Sequence, residues 1–360
     1  MNSDHLSLNI KRYDLSDDKS LKASSAADEL ILKSYTELNS IDKLLAIYND
    51  RFGYLRCHLN HLNPTSIFTN KSQLNSIESN CKSNRLVFNN CSDPLTSLEN
   101  KIDLAVLRMP KSLALFELYL QHISKNSTPR VQVIVGYMTK YFSPKMIEIA
   151  EKYFSTVEQS RAVKKARVAT LSGKRMLEKA EMIDFLAYNN RTYRQYWGVF
   201  SAKHIDYATQ YFLKHIKTTP KDLHILDLAS GNGVIANELL KILPNSTFHL
   251  IDDSFLAVES AKLNVAGENV HHYFENNLST FTDHAFDLIV SNPPFHFEHE
   301  INIQIPIQLF KECYRCLKPG GNLQMVANNH LNYSSQLKKI FPTVETVVQN
   351  ESFVVIRCQK

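Results

Sequence analysis

The stretch "LHILDLASGNGVIANELLKIL", Leu223 to Leu243, decides the fold of this chain. Its first residues form an apolar run that predicts a buried strand, and its last residues predict a helix. Between them lies a turn that contains Gly231 and Gly233. Glycine lets a backbone adopt positive φ and pass close to a ligand, so the turn predicts a binding site at a strand end. The full dinucleotide fingerprint G-x-G-x-x-G is absent.

Strands and helices alternate through the rest of the second half. Apolar strands are predicted in "STFHLIDD", "FDLIVS", "LQMVAN" and "ESFVVIRC", and helical segments separate them. This alternation predicts an α/β fold with a mostly parallel sheet that is covered by helices on both faces.

The first half of the chain repeats the same order. "NDRFGYL" echoes "ASGNGVI", "TNKSQLNSIES" echoes "IDDSFLAVES", "IDLAVLRMP" echoes "FDLIVSNPP", "VQVIVGYMTKY" echoes "LQMVANNHLNY", and "YFSTVE" echoes "IFPTVE". Five echoes in one order indicate a duplicated domain. We therefore expect two α/β domains in tandem, spanning residues 1–187 and 188–360.

The copies differ where the second copy carries polar residues at strand ends. Ile47 faces Asp227, Arg51 faces Gly231, Asn70 faces Asp252, Arg108 faces Asn292, and Lys111 faces Phe295. The hydrophobic pattern survives in the first copy and this polar set does not. We expect the first copy to keep the fold, to lack the ligand, and to suit contact with phosphates through its cations.

Three polar positions of the second copy indicate a nucleoside-bearing ligand. Asp227 precedes the glycine turn, Asp252 ends the second strand, and Asn276 lies near the next strand end. An acid at the end of the second strand can bind both hydroxyls of a ribose, and an amide beside it can meet an adenine. Helix capping is the alternative role for Asp252, although the neighbouring Asp253 suits that role better.

The stretch "SNPPFHFE", Ser291 to Glu298, stops a strand abruptly, because proline cannot donate a ladder hydrogen bond. The Asn292 amide, the Pro293 carbonyl and the Phe295 ring follow on stiff backbone. These groups suit a planar ligand that bears an NH2 group, and a plain turn is the alternative. His296 is a candidate proton acceptor, with a loop or substrate contact as the simpler interpretation.

The order D-x-x-x-G-x-G, second-strand acid and N-P-P-F resembles the class I S-adenosylmethionine-dependent methyltransferases. N-P-P-F is similar to the motif of enzymes that methylate exocyclic or amide nitrogens. A degenerate copy before an intact one resembles the bacterial ribosomal RNA guanine-N2 methyltransferases of the RlmG and RsmC superfamily. "YNDRFG", "RMPKSLALFE", "AVKKAR", "SNPPFH" and "HLNYSSQLKKIF" look most like the branch that acts on the large subunit. Ala229 stands where many methyltransferases carry glycine, which is a small change.

The resemblance implies two tandem class I, Rossmann-like methyltransferase domains, the first of them degenerate and used for RNA recognition. It implies S-adenosylmethionine as cofactor and methylation of the N2 amine of a guanosine in 23S ribosomal RNA. The implied cofactor residues are Asp227, Ala229, Gly231, Gly233, Asp252, Asn276 and Phe200, and the implied catalytic residues are Asn292, Pro293, Pro294 and Phe295. Phe200 would close over the methionine end of the cofactor, or simply begin a helix.

Three alternatives to this function remain open at this point. The RNA substrate can be the 16S ribosomal RNA of the small subunit. The methylated nitrogen can belong to an adenine or to a protein glutamine, since both present an NH2 group. A non-catalytic RNA-binding assembly factor is the third alternative, and the intact polar set of the second copy argues against it.

One segment concentrates positive charge, in a chain whose formal net charge is +5. "RAVKKARVATLSGKRMLEK", Arg161 to Lys179, contains a single acid, Glu178. We expect Arg161, Lys164, Lys165 and Arg167 to bind RNA phosphates, with a solvated surface as the alternative.

The composition of the chain limits the classes of protein to which it can belong. No apolar stretch is long enough to span a bilayer and the polar N-terminus has no signal core, so we expect a cytoplasmic protein. We expect a monomer whose partner is 23S ribosomal RNA, and whether that RNA carries proteins is left open. Cys313 and Cys316 form a C-x-x-C in a predicted helix without further ligands, so we expect reduced thiols and no metal.

Overall fold

A computed structural model describes residues 8–12, 22–38, 43–176, 181–293 and 304–360. The chain divides into two compact units, Met1–Glu181 and Met182–Lys360. Within the described residues no helix combines the length and the apolar character needed to cross a membrane.

The first unit is built on a seven-stranded sheet. Its helices are α1 (Ala26–Glu37), α2 (Tyr54–His58), α3 (Lys71–Ser83), α4 (Leu113–Asn126) and α5 (Pro144–Tyr153). Its strands are β1 (Leu45–Tyr48), β2 (Thr65–Ile67), β3 (Cys91–Ser92), β4 (Ile102–Arg108), β5 (Ser127–Met138), β6 (Phe154–Gln159) and β7 (Ala166–Lys174). The strand order is β3-β2-β1-β4-β5-β7-β6. Short 3-10 turns follow α2 at Asn60–Leu62 and β5 at Thr139–Tyr141.

The second unit repeats this sheet and adds a hairpin before it. The hairpin strands are β8 (Ile183–Tyr188) and β9 (Arg191–Tyr196). The helices are α6 (Tyr207–His215), α7 (Val234–Leu240), α8 (Phe255–Asn264), α9 (Gln304–Cys316) and α10 (Tyr333–Leu337). The sheet strands are β10 (His224–Leu228), β11 (Thr247–Asp252), β12 (Val270–Phe274), β13 (Phe286–Ser291), β14 (Leu317–Asn328), β15 (Thr343–Gln349) and β16 (Phe353–Gln359), in the order β12-β11-β10-β13-β14-β16-β15. A 3-10 turn, Asn329–Leu331, follows β14.

Each sheet is parallel through its first five strands and antiparallel at one edge. β10 pairs in parallel with β11 and β13, whereas β16 runs antiparallel to β14 and β15. β7 occupies the same antiparallel place in the first unit. The central strands carry fully buried apolar side chains, among them Val106 and Val290. The α/β fold with a mostly parallel sheet, present twice, is therefore confirmed.

The duplication extends to local irregularities of the backbone. β5 and β14 are both twelve residues long and share the same sequence of buried and exposed positions. The register of the sheet shifts between Ile102 and Leu104 in one unit and between Phe286 and Leu288 in the other. Such shared details indicate one ancestral domain, beyond the general resemblance of two sheets.

Strand pairing corrects two of the five sequence echoes by two residues. Leu104 pairs with Gln132, and Leu288 pairs with Asn322, so Gln132 corresponds to Asn322. The next residue, Val133, therefore corresponds to Leu323, whereas the sequence echo matches Leu323 with Val131. Side chains on a strand alternate with a period of two, so a shift by two leaves every residue on its own face. The hydrophobic pattern alone therefore cannot detect this error.

Strand pairing also changes which residue of the first unit corresponds to Asp252. Ile47 pairs with Ser66, and Asp227 pairs with Leu250, so Asp252 corresponds to Phe68. Asn70, which the sequence had placed opposite Asp252, precedes α3 as Ser254 precedes α8. The first copy thus replaces the second-strand acid with an aromatic residue.

An asparagine on α3 joins residues 8–12 to the turn that precedes α2 by hydrogen bonds. Asn80 Nδ2 donates to the carbonyls of Lys11 and Phe52, both at 2.8 Å. Asn80 Oδ1 accepts the Lys11 N–H, also at 2.8 Å. Because Phe52 precedes Gly53, which opens α2, this asparagine clasp fixes the turn against residues 8–12.

An asparagine clasp with the same bonds occurs in the second unit. Asn264 Nδ2 donates to the carbonyls of Arg194, at 2.7 Å, and Asn232, at 2.9 Å, and its Oδ1 accepts the Arg194 N–H at 2.8 Å. Residues 8–12 therefore take the place of β9. The sequence predicted a domain boundary between residues 187 and 188, inside β8. The compact units divide between Glu181 and Met182, so the whole hairpin stays with the second unit.

Candidate functional site

The glycine turn of the second unit leaves space at the carboxyl end of β10. Gly233 has φ +79° and begins α7, and a Cβ there would lie 2.7 Å from Val265 Cγ2. Gly231 has φ +56°, and a Cβ there would meet no atom of the described residues within 4 Å. Gly233 is therefore required by packing, while Gly231 borders open space that a ligand can enter.

Ala229 adopts the left-handed conformation, with φ +59°. An L-residue with a Cβ costs roughly 1–2 kcal/mol in this region. The corresponding residue of the first unit, Asn49, has φ +57°, and asparagine tolerates that conformation better. The substitution from the family's glycine is small in volume, as expected, but it places backbone strain at the start of the turn.

Asp252 connects the end of β11 to the glycine turn. Its Oδ2 accepts the Gly231 N–H at 2.9 Å, and its Oδ1 accepts the Ser254 N–H at 2.8 Å. Burial raises the pKa of Asp252 to about 6, against the lowering effect of these two N–H groups. Ser254 itself caps α8 by accepting the Ala257 N–H. Helix capping is thus provided by Ser254, which leaves Asp252 to shape the turn.

Asp227 presents an unmatched carboxylate oxygen beneath the turn. The residue is fully buried, and its Oδ2 accepts the Ala236 N–H at 3.0 Å. Within the described part of the chain, Asp227 Oδ1 and Ser230 Oγ are buried without hydrogen-bond partners. Burial, and then the charge of Asp252, raises the pKa of Asp227 to about 7. Buried acceptors without partners cost roughly 1–3 kcal/mol each, so this cradle fits a ligand with ammonium or hydroxyl donors. S-adenosylmethionine carries both.

Asn276 lies at the same edge of the sheet. It is exposed, two residues after β12, and its Oδ1 accepts the Asn277 Nδ2 at 3.1 Å. β12 pairs with β11 up to Asp252 and Phe274. The structure therefore brings Asn276 to the side of Asp252 that faces away from Asp227.

A buried glutamine joins the glycine turn to the segment that contains Phe200. Gln195 Oε1 accepts from Asn232 Nδ2 at 2.9 Å, and its Nε2 donates to the Phe200 carbonyl at 3.2 Å. The Phe200 side chain is 75% exposed. Gln195 was not predicted as a site residue, because a single glutamine in a strand belongs to no recognisable motif. It sets the position of Phe200 relative to the turn.

Asn292 is oriented by two residues at the start of α6. Its Nδ2 donates to Asp206 Oδ2 at 3.0 Å and to Thr209 Oγ1 at 2.8 Å. A carboxylate only accepts, so the nitrogen of the amide must face Asp206 and the oxygen is turned away from it. Asp206 also caps α6 through the Thr209 N–H, at 3.2 Å. Neither Asp206 nor Thr209 was predicted as a site residue, since "DYAT" reads as an ordinary helix start.

An ion pair lies at the equivalent strand end of the first unit, the end of β4. Arg108 corresponds to Asn292, and its Nε lies 3.2 Å from Asp28 Oδ1. Asp28 is the third residue of α1, as Thr209 is of α6. This arginine was expected to suit phosphates. Instead it is bound to a carboxylate of its own unit.

The residues that follow Asn292 in the N-P-P-F motif are described only in part. Pro293 is buried directly after Asn292. Pro294, Phe295 and His296 lie outside the described residues. The described chain contains no group of three residues that could hold a metal ion. Cys313 is a buried free thiol on α9, as is Cys316.

The expected RNA-binding residues lie around the β6–β7 connection. Arg161, Lys164 and Lys165 are exposed. Arg167 is partly buried and pairs across the sheet with Tyr137, whose hydroxyl it contacts. The structure therefore separates Arg167 from the three exposed cations.

Two family models match consecutive halves of the chain. Residues 1–175 match the RLMG N-terminal domain, and residues 190–357 match the methyltransferase small domain. Three similar proteins bear the name ribosomal RNA large subunit methyltransferase G. The Klebsiella pneumoniae protein is 32% identical over 96% of this chain and 93% of its own length. The Pseudoalteromonas translucida protein is 30% identical, over 98% and 95%, and the Psychromonas ingrahamii protein is 29% identical, over 98% and 96%.

A solved structure resembles the whole chain. It is the T. thermophilus 16S rRNA N2 G1207 methyltransferase RsmC, in complex with AdoMet and guanosine. The TM-score is 0.77, at 18% sequence identity, with 93% of this chain and 92% of that chain covered. At this identity the likeness concerns the fold, and it supports two tandem Rossmann-like methyltransferase domains.

Proposed function

This chain belongs to the family of ribosomal RNA large subunit methyltransferase G, and we propose from this membership that it methylates N2 of a guanosine in 23S ribosomal RNA. The choice of RNA rests on the names of the relatives. The choice of an amine nitrogen rests on one observation, the orientation of the Asn292 amide by Asp206.

An aromatic amine is a poor nucleophile, because its lone pair is delocalised into the ring. Asn292 Oδ1 and the Pro293 carbonyl accept the two amine hydrogens, which directs the lone pair away from them. Bound S-adenosylmethionine supplies a methyl group on a positively charged sulfur. The contribution of Asn292 comes from orientation and from a fixed dipole that faces developing positive charge. Phe295 stacks on the base, in an interaction worth roughly 1–3 kcal/mol.

The cofactor occupies the cradle at the ends of β10, β11 and β12. Asp252 binds the ribose hydroxyls, and Asn276 meets the adenine. Asp227 Oδ1 and Ser230 Oγ take donors of the cofactor, which removes the cost of leaving them unpaired. Ala229, Gly231 and Gly233 line the approach with backbone, and Phe200 covers the methionine end.

The first unit recognises RNA and binds no cofactor. Ile47 and Phe68 replace the two acids, and the ion pair between Arg108 and Asp28 stands at the strand end where Asn292 lies in the second unit. The division of roles follows the two units, with RNA recognition in Met1–Glu181 and methyl transfer in Met182–Lys360.

Transfer of tritium from labelled S-adenosylmethionine tests this function. Protein-free 23S ribosomal RNA and assembled large subunits are offered as parallel substrates. We expect label in the 23S RNA of at least one of them, no label in 16S ribosomal RNA, and N2-methylguanosine as the labelled nucleoside after digestion. Label in 16S RNA, in an adenosine or in protein would overturn the proposed substrate. Absence of transfer to any of them would overturn the proposed activity.

A further inference from the structure

The tip of the β6–β7 hairpin holds two lysines in an unfavourable conformation. Val163 and Ala166 exchange both backbone hydrogen bonds, at 2.9 and 2.8 Å, around the two-residue turn of Lys164 and Lys165. The two lysines have φ +48° and +62°. Turns with two positive φ values favour Asn-Gly, and lysine is disfavoured there. Fold stability therefore does not account for lysine at these positions, and strained residues of this kind point to a function.

An aromatic turn is bonded to this tip. Thr139 donates its N–H and its Oγ1 to the Lys165 carbonyl, at 2.8 and 3.1 Å. Lys140 Nζ lies 4.5 Å from the centre of the Tyr141 ring, and Phe142 stacks on Tyr137 with ring centres 5.7 Å apart. Tyr141 and Phe142 are each 38% exposed. We name the set Lys140, Tyr141, Phe142, Lys164 and Lys165 the hairpin platform.

The two chain segments that form the hairpin platform carry only positive charge. The segments 139–145, "TKYFSPK", and 160–167, "SRAVKKAR", contain no acid. Lys164 Nζ lies 3.2 Å from Glu29 Oε2, but both side chains are well exposed, at 73% and 43%. Exposed pairs of this kind contribute little. A phosphate can therefore replace Glu29 at small cost.

The second unit provides an internal comparison. The Asn329 N–H donates to the Ser352 carbonyl at 3.0 Å, which is the counterpart of the bond between Thr139 and Lys165. Its hairpin connection carries Asn350, Glu351 and Ser352, and its 3-10 turn reads Asn329–Leu331. The scaffold is common to both units, whereas the lysine pair and the exposed aromatic pair belong to the first.

We propose that the hairpin platform binds unpaired RNA nucleotides. Its lysines contact phosphates, and the partly exposed rings of Tyr141 and Phe142 stack on bases. Cations beside aromatic faces are the combination that recognises single strands without reading sequence, because every base has a π-face. The inference rests on the proposed RNA substrate and adds the surface that holds it and the single-stranded state of the part held there.

The lysines are tested by replacing them with the turn residues that the backbone favours. Lys164→Asn with Lys165→Gly removes two charges and leaves a better turn, so we expect an unchanged or higher melting temperature. For a 12-nucleotide single-stranded RNA we expect weaker binding and a salt slope shallower by about 1.4, since each phosphate contact contributes roughly 0.7. Lys33→Gln with Lys82→Gln removes two exposed charges from α1 and α3 as the matched control, and it should leave the affinity nearly unchanged.

The aromatic residues are tested by their effect on single strands against duplexes. Tyr141→Ala should weaken single-strand binding by roughly 5- to 150-fold, since stacking is worth roughly 1–3 kcal/mol per base. It should leave binding to a 12-base-pair duplex unchanged, and Tyr141→Phe should retain wild-type affinity. Equal losses for both RNAs, or no loss for either, would overturn the proposal. Binding is measured without S-adenosylmethionine, so a wild-type protein that binds as expected but does not methylate 23S RNA would refute only the proposed function.

Discussion

Asn292 donates from Nδ2 of its amide to Oδ2 of the Asp206 carboxylate, at 3.0 Å, and this contact orients the amide at the end of β13. The corresponding contact in the first unit joins Arg108 and Asp28 as an ion pair. One duplicated position thus orients an amide in the second unit and forms a closed charge pair in the first.

Replacing Asn292 with alanine should leave cofactor binding intact and lower turnover by roughly 100- to 1,000-fold, the cost of one preorganised polar contact at comparable sites. The residue lies beyond the end of β13, so the core loses little. Single-turnover methylation at saturating RNA measures the chemical step, and calorimetry with S-adenosylmethionine is the control. A wild-type rate for Asn292→Ala would show that Asn-Pro-Pro-Phe is only a turn.

Exchanging Asn292 and Asp206 tests the orientation itself. Asn292→Asp alone places two carboxylates next to each other. Their repulsion should move the new acceptor away from its position, so we expect this variant to be less active than the wild type. Adding Asp206→Asn restores a donor to face the new carboxylate, and the double variant should be more active than Asn292→Asp. Asp206→Ser, which keeps a helix cap but is too short to hold the amide, should lower kcat without changing cofactor affinity. If the double variant is no better than Asn292→Asp, Asp206 does not position the amide.

Replacing Ala229 with glycine should stabilise the second unit by about 1 kcal/mol, because the φ of +59° costs alanine more than glycine loses in chain entropy. Circular dichroism measures the thermal unfolding of both units, and the fluorescence of Trp197, the single tryptophan, reports the second unit. Asn49→Gly in the first unit is the comparison. Its gain should be smaller, because asparagine tolerates positive φ and because the bond from Asn49 Nδ2 to the Arg108 carbonyl is lost. A lower melting temperature for Ala229→Gly would contradict the strain argument.

The affinity for S-adenosylmethionine should fall as the pH decreases from 8 to 5. The pKa values of Asp227 and Asp252, raised by burial to about 7 and about 6, place proton uptake in this range. Each carboxylate needed to accept a donor then loses up to about tenfold in affinity per pH unit below its pKa. Calorimetry across this range measures the profile, and Asp252→Asn should flatten its lower part.

The same raised pKa values set the sign of a stability effect. The folded state holds these protons more tightly than the unfolded state, so the contribution of Asp227 and Asp252 to stability should fall in the ligand-free protein as the pH rises from about 4 to about 7. Thermal unfolding without cofactor checks this against the double variant Asp227→Asn with Asp252→Asn. If the stability difference between the two proteins does not change over that pH range, the raised pKa values are wrong.

Calorimetric titration should find one S-adenosylmethionine site per chain. Ile47 and Phe68 replace the two acids of the site. Asp50, the buried carboxylate that follows β1, is bound to backbone N–H groups of α2, among them that of Arg56 at 2.7 Å. Asp227→Ala should abolish the measured site, whereas Ile47→Ala should leave the stoichiometry unchanged. Two equivalent sites would show that the first unit retains the cofactor.

The α/β fold and its duplication were predictable because both depend on periodic apolar residues. The run from Leu223 to Leu243 predicted a strand, a turn and a helix, and the structure has β10, the glycine turn and α7 there. The echo "TVE" was also in register, since Val157 pairs with Leu171 as Val344 pairs with Cys358. Two echoes were displaced by two residues, because alternation does not register such a shift.

Contacts between distant parts of the chain were not predictable. Asp206 and Asn292 are far apart in sequence, and neither residue alone indicates that the other orients it. Arg167 looked like a surface cation in a basic run, but strand alternation turns it toward Tyr137. The left-handed φ of Ala229 depends on the path of the whole turn, so its residue type alone suggested only a small change.

The asparagine clasp of the second unit determines at which residue a separately expressed catalytic fragment should begin. A fragment that starts after β9 would lose the Arg194 backbone that Asn264 binds, and would leave the polar atoms of this buried asparagine without those partners. It would also remove Tyr193, which is fully buried. A fragment that starts at Met182 keeps the hairpin, so separate expression of the methyltransferase should begin upstream of the segment that carries its motifs.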